Sequence, residues 1–333
     1  MLPLAEFALQ GAARHFQTGH EVQKECFVFS PSSKRARALT VVVAVSLSAC
    51  IGTGPALEEL DFAASDDPAV IERGHYLVYG PAHCASCHGD PAAPRTPDAG
   101  EPPLSGGRHF DVGPLGTVVA PNITQDPEAG IGARSDATLV RSLRYGIAHD
   151  GRTLVPIMPF ADMADRDLHA VISYLRTVTP VPEPAPPNSL SWLGAMALRL
   201  IVEPSAPSGT PAHRVTPERS PEYGRYLAHT VANCHGCHTR RSKLTGSYVG
   251  PPFAGGMELE EAGRTFVSPN LTPVEGGVLH GVSEAEFIRW FRARGHAGGE
   301  SPMPWRAYSR MTDLDLSAIY RYLGTIPAAE TPS

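Results

Sequence analysis

The chain has 333 residues, with 28 basic and 34 acidic side chains and a formal net charge of −6. This balance provides no basic surface for a phosphate backbone, so nucleic acid is excluded as a main partner. The 32 glycines and 33 prolines predict many turns and short helices, and the length suits two domains of ordinary size.

The N-terminal segment is typical of an exported protein. Lys34, Arg35 and Arg37 precede an apolar run at 38–47, which is followed closely by Cys50 in the sequence LSAC. The run is too short to cross a bilayer, which favours a secretion signal. This pattern resembles a bacterial lipoprotein signal, which implies that Cys50 is lipidated after residues 1–49, an upstream extension and signal, are removed. An ordinary secretory signal or a short membrane anchor is the alternative.

An internal repeat organises the rest of the chain. Residues 72–182 and 222–327 contain the same features in the same order. These features are a helical stretch, a Cys-x-x-Cys-His motif, a PPxxGG segment, a PN(I/L)T segment, a helix, an MP(F/W) loop and an amphipathic closing helix. Two similar all-α domains are therefore predicted at 66–182 and 218–328.

Helix signals are clearest at the end of each repeat and in the segment between the repeats. Helices are predicted at 137–146 and 283–295, and closing helices at 165–178 and 312–324, with Asp165, Thr312 or Asp313 as candidate caps. A proline-rich linker at 183–217 contains a short amphipathic helix at 189–203. We expect this helix to pack into the seam between the domains, with docking on a membrane or a partner subunit as the alternative.

The cysteines carry the most specific chemistry in the sequence. Two Cys-x-x-Cys pairs are each followed directly by histidine: Cys84, Cys87 and His88, and Cys234, Cys237 and His238. Such thiols can add across the two vinyl groups of one heme while the histidine offers a ring nitrogen to the iron. A redox dithiol or half of a zinc site shares the cysteine spacing, but neither explains two adjacent histidines. The motifs predict two covalently attached heme c groups.

With these motifs, both repeats resemble class I cytochrome c domains over nearly all of residues 70–327. The PPxxGG, PN(I/L)T and MP(F/W) series is especially similar to the cytochrome c subunits of membrane-associated alcohol, gluconate, aldehyde and nicotinate dehydrogenases. Those subunits commonly have three heme domains, whereas this chain has two. The resemblance implies an electron carrier that catalyses nothing by itself, with His88 and His238 as proximal iron ligands.

The resemblance also directs attention to the residues around each iron. A backbone carbonyl is expected to hold the second nitrogen of each histidine ring, and the candidates are Pro102, Pro103, Pro251 and Pro252. Met158 and Met303 are predicted as sixth ligands, since a thioether favours reduced iron and each lies in a proline-bounded loop. The alternatives are Met163 and Met311, which we expect to pack in the core, and His149 and His296. Phe160 and Trp305 are expected near the porphyrin, and Asn122 and Asn270 near heme propionates or in ordinary turns.

Iron with both axial positions filled has no open site for oxygen or peroxide, so electron transfer is the expected function. The expected location is the periplasmic side of the bacterial cytoplasmic membrane, where a lipid anchor would hold the chain. The expected partners are redox proteins: a dehydrogenase or quinol-linked donor, and a terminal oxidase or cytochrome acceptor. The alternative is a diheme peroxidase-like or thiosulfate-oxidising enzyme, in which one iron keeps a displaceable ligand.

Overall fold

The computed structural model describes residues 62–93, 100–242, 246–261, 263–296 and 301–332. These residues belong to one compact unit, Ile51–Ser333. Cys50 and the predicted signal at 1–49 lie outside the described residues.

Helices dominate the described residues. They are α1 Pro68–Tyr79, α2 Cys84–His88, α3 Asp136–Tyr145, α4 Asp165–Leu175, α5 Trp192–Leu200, α6 Pro221–Tyr226, α7 Cys234–His238, α8 Glu284–His296, α9 Trp305–Tyr308 and α10 Asp313–Leu323. A 3-10 turn lies at Gly113–Leu115, and a π-helical turn at Leu227–Val231 continues α6. Within the described ranges, no helix is both long and apolar enough to span a bilayer.

Two small antiparallel sheets make the all-α prediction incomplete. The first contains β1 His109–Asp111, β2 Gly116–Val119 and β3 Ser189–Leu190, and the second contains β4 Glu258–Glu261 and β5 Arg264–Val267. Both hairpins occupy the stretch between the PPxxGG and PN(I/L)T segments of their repeat. The strands are only two to four residues long, too short for an apolar alternation that would have revealed them.

In each half, the opening helix crosses the closing helix at a glycine. A Cβ on Gly74 of α1 would lie 1.9 Å from the Ala170 carbonyl oxygen of α4. A Cβ on Gly224 of α6 would lie 2.0 Å from the Ala318 carbonyl oxygen of α10. Only glycine allows this approach, which buries the core residues of the paired helices.

The ends of the predicted helices follow from their caps. Thr312 caps α10 as predicted, since its hydroxyl accepts a hydrogen bond from the Asp315 N–H at 3.1 Å. The cap prediction for Asp165 is wrong, because the N-cap residue of α4 is Ala164, which makes no side-chain hydrogen bond to the helix. Asp165 instead pairs with Arg144 at 2.9 Å.

The linker helix does not pack into a seam. Gly194 is the buried residue of α5, and it lies against the backbone of Leu115. Because this side of the helix faces the protein, the large apolar side chains of α5 face outward. Trp192 is 71% exposed, Leu200 60% and, just beyond the helix, Ile201 77%. The seam prediction is therefore wrong: the small side of the helix contacts the protein and the apolar side faces solvent.

Candidate heme sites

The two Cys-x-x-Cys-His motifs form matching single-turn helices, α2 and α7. Each begins after a residue in the left-handed region, His83 with φ 43° and Asn233 with φ 51°. Asparagine and histidine adopt this conformation more readily than most residues, and it turns the chain sharply into the motif. Equivalent positions in the repeats therefore start both motifs in the same way.

The environment of the thiols argues against a redox dithiol. Burial raises the pKa of the Cys84 and Cys234 thiols to about 12. A redox dithiol needs a stabilised thiolate at the attacking cysteine. Burial acts against the thiolate at the first cysteine of each motif, so a redox role is disfavoured.

Each motif histidine has one ring nitrogen fixed by a backbone carbonyl. His88 Nδ1 lies 2.8 Å from the Pro121 oxygen, and His238 Nδ1 lies 2.9 Å from the Pro269 oxygen. These bonds fix the ring orientation and use Nδ1, so Nε2 is the nitrogen directed to bind iron. Burial lowers the pKa of both rings, which favours the neutral form that binds metals.

The carbonyl prediction was wrong in its residues although right in kind. Pro102 and Pro103 of the PPxxGG segment have other donors, since Pro102 accepts from the Tyr79 hydroxyl and Pro103 from the Asp90 N–H. The prolines that hold the histidines are the first residues of the PN(I/L)T segments. The recurrence of Pro in both of these segments was the available signal, but it could not show which carbonyl meets the ring.

Glycines bring these segments together. Gly106 and Gly255 have φ of 75° and 74°, and their N–H groups donate to the carbonyls of His88 and His238 at 2.8 Å. A Cβ on Gly106 would lie 2.5 Å from the Pro121 carbonyl carbon. The PPxxGG segment therefore packs closely between the histidine backbone and the prolyl carbonyl that orients the histidine ring.

The asparagine of each PN(I/L)T segment has a turn role. The Asn122 side-chain oxygen accepts from the N–H and hydroxyl of Thr124, and its amide donates to the carbonyls of Val181 and Glu183. Asn270 makes the equivalent bonds to Thr272 and to the carbonyl of Ala329. Both side chains are buried and tie the end of each half to its heme-site loop.

The methionines fall into two environments. Met158 and Met303 are partly buried and border the core. Met163 and Met311 are 1% exposed and lie within the core, as the packing prediction required. His149 is exposed, and the side chain of His296 lies outside the described residues.

The two predicted aromatic neighbours also differ. Phe160 is buried in the core, whereas Trp305 packs edge-on against Phe291 with 5.4 Å between ring centroids.

An arginine in each half braces the segment that follows the candidate methionine. Arg144 donates to the carbonyls of Ala161 and Met163, at 3.0 and 3.1 Å, and pairs with Asp165. Arg292 makes the equivalent contacts to the carbonyls of Ser309 and Met311 and to Asp313. Neither arginine was predicted from the sequence, although the two occupy equivalent positions in the repeat.

The residues present fit covalent heme in both halves. Each half offers two thiols one turn apart, an imidazole oriented through Nδ1, and a partly buried thioether ahead of a braced segment. This donor set matches what heme c requires: two thioether bonds, a nitrogen ligand and a soft sixth ligand.

No family model matches the chain. The cytochrome c subunit of the quinone alcohol dehydrogenase of Gluconacetobacter polyoxogenes is 31% identical over 283 residues, which cover 78% of this chain and 57% of that protein. The gluconate 2-dehydrogenase cytochrome c subunit of Pantoea cypripedii is 29% identical and covers 82% and 64%. A diheme cytochrome c-type protein of Cereibacter sphaeroides is 30% identical and covers 78% and 86%.

These relatives define a class of heme proteins that carry electrons and are not themselves catalysts. The chain belongs to the c-type cytochromes, as its resemblance indicated, and its helix-rich architecture fits their fold. It spans little more than half the length, 57%, of the alcohol dehydrogenase subunit that it matches.

Proposed function

We propose that the chain is a two-heme electron-transfer protein on the periplasmic side of the bacterial cytoplasmic membrane. Residues 66–182 and 218–328 each form a class I cytochrome c domain, and residues 183–217 link them. The proposed heme-binding residues are Cys84, Cys87, His88 and Met158 in the first half and Cys234, Cys237, His238 and Met303 in the second.

The single observation that best supports this proposal is the repeated orientation of the motif histidine. In both halves, Nδ1 of the histidine after Cys-x-x-Cys lies 2.8–2.9 Å from the carbonyl oxygen of a proline. That proline is about thirty residues further along the chain. A structural zinc site needs four protein ligands, more than one motif supplies, and a redox dithiol gives no reason for this bond to occur twice. A proximal iron ligand does, because the ring must be fixed and its second nitrogen left available.

The proposed heme-binding residues suit one-electron transfer. Heme c would supply a one-electron iron couple when bound, and the proposed histidine and methionine would hold it. The protein then orients the ligands and excludes water without making or breaking bonds to substrate. The two halves would therefore take up and release one electron each.

The proposed partners follow from the relatives and from the chain itself. The relatives are named as subunits of dehydrogenases, so a dehydrogenase is the proposed electron donor, with a quinol-linked protein as the other candidate. A terminal oxidase or another cytochrome is the proposed acceptor. Lipidation at Cys50 would hold the chain at the membrane, and the exposed apolar face of α5 provides a second surface that a bilayer could cover.

Heme content tests the proposal directly. We expect the purified exported protein to contain two hemes per chain by pyridine hemochrome assay, and to keep them in denaturing gels because the bonds are covalent. Fully reversible oxidation and reduction should accompany this result. A colourless protein, or heme that is extracted by acidic acetone, would contradict the proposal.

The exposed face of α5 gives a second expected result, on membrane association. A Leu193→Glu/Met196→Glu variant, secreted with an ordinary cleavable signal so that no lipid is attached, should bind phosphatidylethanolamine and phosphatidylglycerol vesicles about tenfold more weakly than the same protein without the changes. Two apolar side chains would lose favourable burial, worth about 1.5–3 kcal/mol each when complete. Vesicle flotation measures the bound fraction.

A matched control exists on another exposed surface. Val249 and Val267 are 58% and 63% exposed, so a Val249→Glu/Val267→Glu variant adds the same charge elsewhere. Its binding should equal that of the unchanged protein. If the α5 variant binds vesicles as well as the unchanged protein, the helix has no role in membrane binding. If the unchanged protein does not bind vesicles, the result favours a protein partner for this face.

A further inference from the structure

The two halves contact each other through a reciprocal pair of hydrogen bonds. The Tyr76 hydroxyl of the first half donates to Asp315 of the second, and the Tyr226 hydroxyl of the second donates to Asp167 of the first, the latter at 2.8 Å. Tyr76 and Tyr226 are equivalent in the repeat, as are the two aspartates. The halves are therefore related by an approximate twofold axis, and the pairs lie on either side of it.

Backbone groups complete this arrangement. The Tyr76 oxygen accepts from the Thr312 N–H at 3.0 Å, and the Tyr226 oxygen accepts from the Ala164 N–H at 3.2 Å. The aspartates are 8% and 2% exposed, so each depends on its tyrosine across the contact, and Asp167 also on Arg73. Buried groups that satisfy one another in this way fix one relative position of the halves.

The same contact surface brings the two Cys-x-x-Cys-His motifs together. Tyr308 of the second half is 5% exposed, and its ring stacks on that of His83 with 5.4 Å between centroids and 25° between planes. Its hydroxyl donates to the Ala232 carbonyl. His83 directly precedes Cys84, and Ala232 lies two residues before Cys234. One side chain therefore joins the starts of both motifs.

Arg108 makes a second bridge, from the middle of the first motif. Its guanidinium donates to the Ser86 carbonyl at 2.8 Å and to the Glu261 carboxylate of the second half at 2.7 Å. This side chain therefore ties the first motif to β4 of the second half.

We propose that Tyr308 is a positioning residue: it holds the starts of the two Cys-x-x-Cys-His motifs at a fixed separation, and the rate of electron exchange between the two hemes depends on it. The two bound hemes would each supply a one-electron couple, so that one electron lost from one half would be gained by the other. No proton or bond is exchanged, and donor and acceptor are both held by this chain. The inference rests on the proposed function, since it requires both hemes.

Proton NMR of the heme-loaded protein tests this inference. In partly reduced samples, heme methyl signals exchange at the rate of electron transfer, and an intramolecular rate does not depend on protein concentration. We expect a concentration-independent rate for the unchanged protein. Tyr308→Ala should slow it about tenfold or more, and Tyr308→Phe, which keeps the ring but loses the bond to Ala232, should slow it less.

Tyr320 provides the matched control, because its hydroxyl also donates to a backbone carbonyl, that of Val282, at 2.8 Å within the second half. Tyr320→Phe should leave the exchange rate unchanged. If Tyr308→Ala does not fold, the Tyr76→Phe/Tyr226→Phe variant replaces it and should also slow the exchange.

The possible outcomes separate the two proposals. An unchanged rate in the variant that folds, or exchange that rises in proportion to concentration in the unchanged protein, would overturn the inference alone. Absence of heme methyl signals would overturn the proposed function as well.

Discussion

An exported Cys84→Ala/Cys87→Ala variant is expected to carry one heme instead of two. The thiols of each motif are partly buried or exposed next to their own histidine, and no described disulfide connects them to any other cysteine. Loss of one pair therefore removes one attachment site and leaves the chemistry of the other intact. Pyridine hemochrome assay and intact mass both measure the loss.

The repeat supplies the control for this prediction. Cys234→Ala/Cys237→Ala should also lose one heme, and the four-cysteine variant should lose both. A variant that keeps two covalent hemes would disprove the assignment of its motif.

Replacement of a proposed sixth ligand should change the potential of one heme only. Met158→Ala or Met303→Ala removes a thioether that favours reduced iron, so the midpoint potential of that heme should fall. The far-red band of methionine bound to ferric heme should lose half of its intensity in each variant. Spectroscopic redox titration measures both effects in the same sample.

Met163 and Met311 are the matched controls, because they are the other methionine pair of the repeat. Both lie in the core, so alanine there should cost about 2–5 kcal/mol of unfolding free energy and leave both potentials nearly unchanged. Unchanged potentials in Met158→Ala and Met303→Ala would refute the ligand assignment. A high-spin heme in the unchanged protein, or peroxide turnover, would favour the diheme peroxidase-like alternative.

Features that depend on short stretches of the chain could be predicted from the sequence. The Cys-x-x-Cys-His motif is complete within one helical turn, so its spacing alone predicts an attachment site for heme, which stays a prediction. The repeat was equally visible, since PPxxGG and PN(I/L)T recur in order, and the same holds for the amphipathic closing helices α4 and α10. Membership of the c-type cytochromes followed from these local patterns and was confirmed by the relatives.

The tertiary structure decided which segments meet. Pro121 rather than Pro102 holds His88, because the turn at Gly106 delivers that carbonyl to the ring. The apolar face of α5 points outward because Gly194 packs inward, and an amphipathic pattern does not say which surface will cover it. The bond from Tyr226 to Asp167 joins residues fifty-nine positions apart. Such contacts depend on the balance of packing over the whole chain, which a local pattern does not contain. Spacing within one helical turn is fixed by covalent geometry, so features of that kind could be predicted.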